Sequence, residues 1–225
     1  MSSRTLLITI GVLTALAAIF GGFTMVIRGE PLLGAFAIAG LILSWGYTDP
    51  PLRFKRRGLG ELSAFIVWGP LMGGGTYLAA TGTLDATALI ATLPWALFVT
   101  AVLFGKHLDK IDADGSRGVK TFVVRIGERR ARAFTTLLIT VGYLGIAAFA
   151  IPAIGIFPWF VAPLAGIGAI VALPALKIVA APRPAAPPAG YPLWPLWHVG
   201  AAFLASRPAM GALLVGLIVG AILGR

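Results

Sequence analysis

The sequence reads as an all-α membrane protein, a multi-spanning helical bundle of about seven transmembrane helices with one further interfacial helix. Three observations carry this reading. Of 225 residues, 58% are hydrophobic and 12% charged, with mean hydropathy +0.93, where an ordinary soluble domain has roughly 25% charged residues. Seven uncharged runs approach or exceed the length that crosses a bilayer, about 20 residues at 1.5 Å rise each. The Lys and Arg residues gather on one side of those runs. Such a chain cannot present a polar surface to water all round. That excludes disorder and a soluble single-core enzyme, and the absence of Cys excludes a disulfide scaffold and thiolate–metal sites. The length predicts one membrane domain, 1–225.

The first run, 6–27, follows a single basic residue, Arg4. Ala15 and Ala17 give an A-x-A match, but the run is longer than a signal-peptide core and reads as a retained span. The second run, 32–47, is short, and the third is 62–83. The triplet Gly73-Gly74-Gly75 inside the third has no Lys at phosphate-loop spacing and reads as a packing or kink element. The fourth run is 86–105. The fifth and sixth, 133–154 and 155–176, are divided by Pro152, Gly155 and Pro158, which predict a tight hairpin. Residues 179–190 are Pro/Ala-rich and predict a linker. The Trp-rich, amphipathic stretch 191–206 predicts an interfacial or half-inserted helix. The last run, 208–224, carries Gly216, Gly220 and Gly224 at a spacing that lets helices approach closely, here within one chain.

Alternating the loops across these runs puts the N-terminus, 48–61, 106–132 and 177–207 on one side, with 16 of the 18 Lys and Arg. The other side holds only Arg28 and Arg225. The rich side is therefore cytoplasmic and faces anionic membrane lipid, and the net charge of +10 calls for no nucleic acid.

Of the 8 acidic residues, Asp109, Asp112 and Asp114 sit together. A helix continuing past Gly105 puts Asp109 and Asp112 on one face. Clustered carboxylates suit Mg²⁺, which keeps several waters and binds substrate phosphates through one or two carboxylates. The cations around them (Lys106, Lys110, Arg117 and Lys120) suit phosphate oxygens, so the cluster fits a Mg²⁺–diphosphate pair. A solvated helix end with Lys106–Asp109 and Lys110–Asp114 pairs fits equally well on charge alone. Arg53, Lys55, Arg56 and Arg57 form a second basic cluster, read either as a lipid-headgroup anchor or as further phosphate contacts facing the Asp loop. His107 reads as a solvated residue or as a diphosphate donor beside the Asp cluster, and His107 and His198 are too few and too far apart for a metal site. No run has an ionisable residue at mid-depth, which argues against an ion-coupled transporter.

Two stretches carry a resemblance. YTDPPLRFKRRGLGE, with the apolar GP and GTY that follow, and GKHLDKIDADGSRGVKTFVVRIGERRAR resemble the UbiA family of intramembrane aromatic prenyltransferases, nearest in feel to dihydroxynaphthoate polyprenyltransferases. YPLWPLWHVGAAFLASRP is similar to the lead-in to that family's last helix, so the likeness covers essentially the whole chain. It implies a helical bundle around a central cavity capped by cytoplasmic loops. It also implies transfer of a polyprenyl group from its diphosphate to an aromatic or other lipophilic acceptor, with Mg²⁺, in the cytoplasmic membrane of a prokaryote. By position, Asp114 with Asp109 or Asp112 matches the family's second metal motif. Lys120 and Thr121 match its continuation, and Tyr47 and Arg53 match loop positions near diphosphate. Two departures stand out. Lys110 occupies the first Asp of the family's DxxxD, and no Asp precedes Asp49. The first run is similar to the family's third helix, so the expectation from the resemblance is that these residues lack the family's first two helices and first Asp-rich motif. The expectation is a prenyltransferase-like chain with little or no turnover alone. The alternative is a non-catalytic membrane subunit or lipid-binding protein, with a partner chain supplying the missing motif.

Overall fold

The computed structural model describes residues 2–191 and 194–224; part of the 191–206 stretch and Arg225 of the charge reading lie outside the described residues. They are built from helices, with no strand among them. The order is α1 (Ser3–Arg28), α2 (Leu32–Trp45), a 3₁₀ turn (Phe54–Arg57), α3 (Gly60–Ile66), a π-turn (Val67–Leu71), α4 (Met72–Thr81), α5 (Ala86–Ala91), α6 (Leu93–Leu108), α7 (Ile111–Ser116), α8 (Phe122–Ile126), α9 (Glu128–Phe149), α10 (Val161–Ala180) and α11 (Trp197–Ile222). Five helical stretches are long and apolar enough to cross a membrane, α2 is a shorter apolar helix, and α3, the π-turn and α4 form one rod matching the third run. This is the multi-span bundle the sequence implies.

The largely apolar α1, with charges only at its ends (Arg4 and Arg28), buries no residue against the protein. Its ends are set locally: Ser2 caps it through Thr5 N–H, and Gly29 at φ 66° ends it in the left-handed conformation glycine allows. The core lies instead among α6, α9, α10 and α11. In lipid, helix association depends on close packing rather than on escape from water. Small residues provide it: a Cβ on Gly142 would lie 2.7 Å from the Phe98 ring, and one on Gly216 would lie 2.4 Å from Val161. The Gly216 spacing noted in the sequence thus serves packing of α11 on α10. Buried Tyr143 ties three helices, donating its hydroxyl to Ala205 O (2.8 Å) and lying 3.2 Å from Gly168 O.

Two boundaries differ from the sequence reading. The fifth and sixth runs become α9 and α10, displaced outward around a turn over 150–160 in which Phe157 N–H bonds Phe149 O at 2.8 Å. Hydropathy starts the fifth span after Arg132, but Glu128 and Arg132 pair at 3.2 Å one turn apart and the helix begins at the charges. The separate interfacial helix is replaced by the first third of α11, which runs unbroken from Trp197 through Pro208 to Ile222. His198, Gly200, Ala201, Ala202, Ala205 and Ser206 are buried against the bundle, so this segment packs as core.

Candidate functional site

The loop after α2 folds back on itself. Phe54 N–H bonds Gly46 O and Lys55 N–H bonds Tyr47 O, both at 2.9 Å. A Cβ on Gly46 would lie 2.7 Å from the backbone Ile42 O and 2.9 Å from the Phe54 ring, so the reversal favours glycine there. The fold-back sets Tyr47 beside Lys55, and Lys55 Nζ reaches Asp114 Oδ1 in α7 at 3.3 Å. The two basic–acidic loops therefore meet, as the sequence reading allowed. Gly58 packs against Arg125, whose Nε donates to Lys120 O at 3.2 Å.

Beneath this junction lies a group of buried polar atoms. Asp114 is buried, and its Oδ2 has no hydrogen-bond partner among the described residues. The same is true of Tyr47 Oη, Glu61 Oε2 and His107 Nε2. Glu61 Oε1 lies 2.8 Å from His107 Nδ1, with both side chains buried. Burial, with the negative charges of Glu61 and Asp114 adding to it, pushes the Tyr47 phenol up to about 12. Tyr47 is therefore a neutral hydrogen-bond donor at ordinary pH. A cavity of about 270 Å³ opens here, lined by Tyr47, Ser44, Ser63, Trp68 and Lys106 among others.

The predicted acids separate. Asp109 and Asp112 do not share a helix face, because α6 ends at Leu108 and α7 starts at Ile111. Asp109 turns to the start of α11: Oδ1 accepts from His198 N–H at 2.8 Å and Oδ2 from Val199 N–H at 3.0 Å, with His198 Nδ1 3.2 Å from Oδ1. Anionic side chains are stabilised at helix N-termini, and this carboxylate caps a helix 89 residues away. Asp112 is exposed. The proposed pairs Lys106–Asp109 and Lys110–Asp114 do not form; Asp114 takes Lys55 instead. Lys106 is exposed at the cavity wall, and Arg53, Lys110 and Lys120 are exposed. Arg57 is exposed and donates Nη2 to Pro51 O at 3.0 Å. His107 is fully buried rather than solvated. Sequence reasoning also passed over Glu61. Its signal was available: it is the only acid between Asp49 and Asp85, at the start of an apolar run.

A model of the UbiA prenyltransferase family matches residues 1–206. The chain belongs to the UbiA prenyltransferase family. Relatives of this UbiA chain include a 1,4-dihydroxy-2-naphthoate octaprenyltransferase of Haemophilus influenzae, 32% identical over 136 residues, 58% of this chain and 44% of the relative. A 2-carboxy-1,4-naphthoquinone phytyltransferase of Synechocystis is 28% identical over 163 residues, 70% of this chain and 51% of the relative. The chain thus spans about half the length of these curated relatives. No solved structure matches it. Family membership together with the apolar helices makes it an integral membrane protein.

UbiA prenyltransferases generally use Mg²⁺ bound by Asp-rich motifs. Among the described residues no group of three His, Cys, Asp or Glu is placed to hold a metal ion. Asp114 fits the ion as a single ligand, since its buried Oδ2 is an anionic oxygen without a partner. Asp109 is committed to the start of α11 as arranged, with both its oxygens accepting backbone N–H groups there.

Proposed function

We propose that the chain carries the diphosphate-handling part of a membrane prenyltransferase, which moves a polyprenyl group from polyprenyl diphosphate to an aromatic quinone precursor. The observation that carries the reading is the junction of Lys55 with Asp114, joined through Tyr47, whose carbonyl accepts from Lys55 N–H, to a cavity that Tyr47 lines with Lys106. Lys55, Lys106 and the neutral Tyr47 phenol present donors to diphosphate oxygens, with Arg53, Arg57, Lys110 and Lys120 adding positive charge around the mouth. Asp114 would hold Mg²⁺ through its unpartnered Oδ2, with exposed Asp112 the nearest further carboxylate in sequence. Bound there, the ion would neutralise charge on the departing diphosphate. The C1–O bond of the allylic diphosphate breaks, and its electron pair leaves with the diphosphate. A carbon of the acceptor bonds C1, and the acceptor releases a proton. The apolar helices below keep water from the electron-poor carbon. The loops face the cytoplasm of a prokaryotic cell, which the placement of 16 of the 18 Lys and Arg supports.

One observation favours a second reading, a chain of this fold that binds the diphosphate without turning it over. Asp109 is engaged in capping α11 and Lys110 stands in the metal motif, so the carboxylates free for metal are few. Further Asp ligands would then come from a partner chain. Both readings are tested in lipid nanodiscs with farnesyl thiodiphosphate and Mg²⁺, followed by transfer from farnesyl diphosphate to 1,4-dihydroxy-2-naphthoate. Binding that weakens about tenfold or more in Lys55→Met and Asp114→Asn is expected. Transfer beside such binding selects the first reading, and binding without transfer selects the second. Unchanged binding in both variants refutes the assignment of the site.

A further inference from the structure

We propose that Trp68 decides which polyprenyl diphosphates the chain accepts, by steering the lipid tail into the chamber bounded by α1, α2 and the α3–α4 rod. The inference rests on the diphosphate reading above.

Three cavities meet at this one side chain. The cavity under the loops, about 270 Å³, shares Val67 and Trp68 with an apolar chamber of about 770 Å³ between α1, α2 and the rod. It shares only Trp68 with a third chamber of about 580 Å³ between α4, α5 and α11. The two larger chambers have Trp68 and Met72 as common walls. Trp68 and Met72, four residues apart on one rod, therefore form the partition between them. The first chamber has Gly21, Gly22, Gly34 and Gly40 among apolar side chains such as Met25 and Phe36, and no charged residue lines it. The third is smaller and carries Asp85 beside Trp95 and Tyr77. A hydrocarbon tail fits the wider, uncharged chamber better.

The backbone explains why the indole stands there. Trp68 lies in the π-turn Val67–Leu71, which contains Pro70. Proline has no N–H to give the helix ladder, and a widened turn absorbs the break and changes the rotational phase of the side chains. On the side next to Trp68 the rod is pressed to α6 and α5: a Cβ on Gly69 would lie 2.5 Å from Ala96 Cβ, and one on Gly73 would lie 2.2 Å from Thr92. With that face closed, Trp68 stays 47% exposed, although it is a large aromatic in mid-rod. Its uncovered surface is the surface that a tail would meet.

Truncating the indole removes one of the two side chains of the partition and opens a passage between the two large chambers beside Met72. The test measures binding of farnesyl (C15) and octaprenyl (C40) thiodiphosphates, with Mg²⁺, to the full chain in nanodiscs as wild type, Trp68→Ala and Trp68→Phe. Trp68→Ala is expected to shift the C40:C15 affinity ratio about tenfold toward C40, while Trp68→Phe, which keeps the partition, stays near wild type. Thermal melts identify a variant that fails to fold, and Trp68→Leu then replaces Trp68→Ala with the same expectation. Affinities that fall equally for both tails, or not at all, overturn the role of Trp68 and leave the diphosphate reading intact. A wild-type chain that binds neither compound, or binds farnesol as well as its diphosphate, overturns both.

Discussion

Replacing Asp109 by Ala separates its structural role from a metal role. The carboxylate has 4% of its side chain exposed and His198 has 1%, so water does not substitute for what is lost. Two backbone N–H groups, at 2.8 and 3.0 Å, and the His198 ring lose their acceptor. An N-cap deletion costs about 1 kcal/mol, and a buried donor left without a partner costs about 1–3 kcal/mol. Counting one cap and one stranded donor gives about 2–4 kcal/mol. At about 2–4 °C per kcal/mol for a chain of this size, Tm falls by about 5–15 °C. Asp109→Asn keeps one carbonyl acceptor but turns an NH₂ toward a second donor, so an intermediate loss is expected. Asp112→Ala, at an exposed position, changes stability by about 0.5 kcal/mol or less. The assay is thermal unfolding in nanodiscs, followed by Trp fluorescence with and without Mg²⁺. The reasoning is refuted if Asp109→Ala melts no lower than Asp112→Ala, or if its loss appears only when Mg²⁺ is present.

Two further outcomes follow from the same geometry. A difference titration of wild type against Tyr47→Phe, read from phenolate absorbance, should show a group ionising near pH 12 rather than 10, because burial and the Glu61 and Asp114 charges disfavour the phenolate. The folded pKa lies above the unfolded one, so the stability tied to this group is intact below pH 10 and declines as pH rises toward about 12; a midpoint at 10 would place the phenol in water. Gly105→Ala puts a Cβ 2.7 Å from His198 O and 2.8 Å from Val199 Cα, both backbone, so α6 and α11 must part, at a cost of about 1–3 kcal/mol. A melting temperature equal to wild type would show that these helices are not in such close contact.

Membrane class and the apolar runs were legible in the residues, because both rest on local composition, apolar length against bilayer thickness. Counting Lys and Arg loop by loop allowed the basic loop to face the Asp loop, but the pairing of Lys55 with Asp114 came only from the fold. What no local pattern carried was the partner of each polar group. Asp109 looked like Asp114 in sequence, yet one caps α11 from the end of α6 and the other answers Lys55 with an oxygen to spare. His107 looked like a surface residue beside Lys106 and is sealed against Glu61. The stretch 191–206 had the composition of an interfacial helix, but part of it became core once α10 and α6 closed on its glycines and alanines. Hydropathy states whether a residue suits lipid or water. Which donor meets which acceptor depends on how helices distant in sequence come to lie against one another, and that is decided by packing in three dimensions.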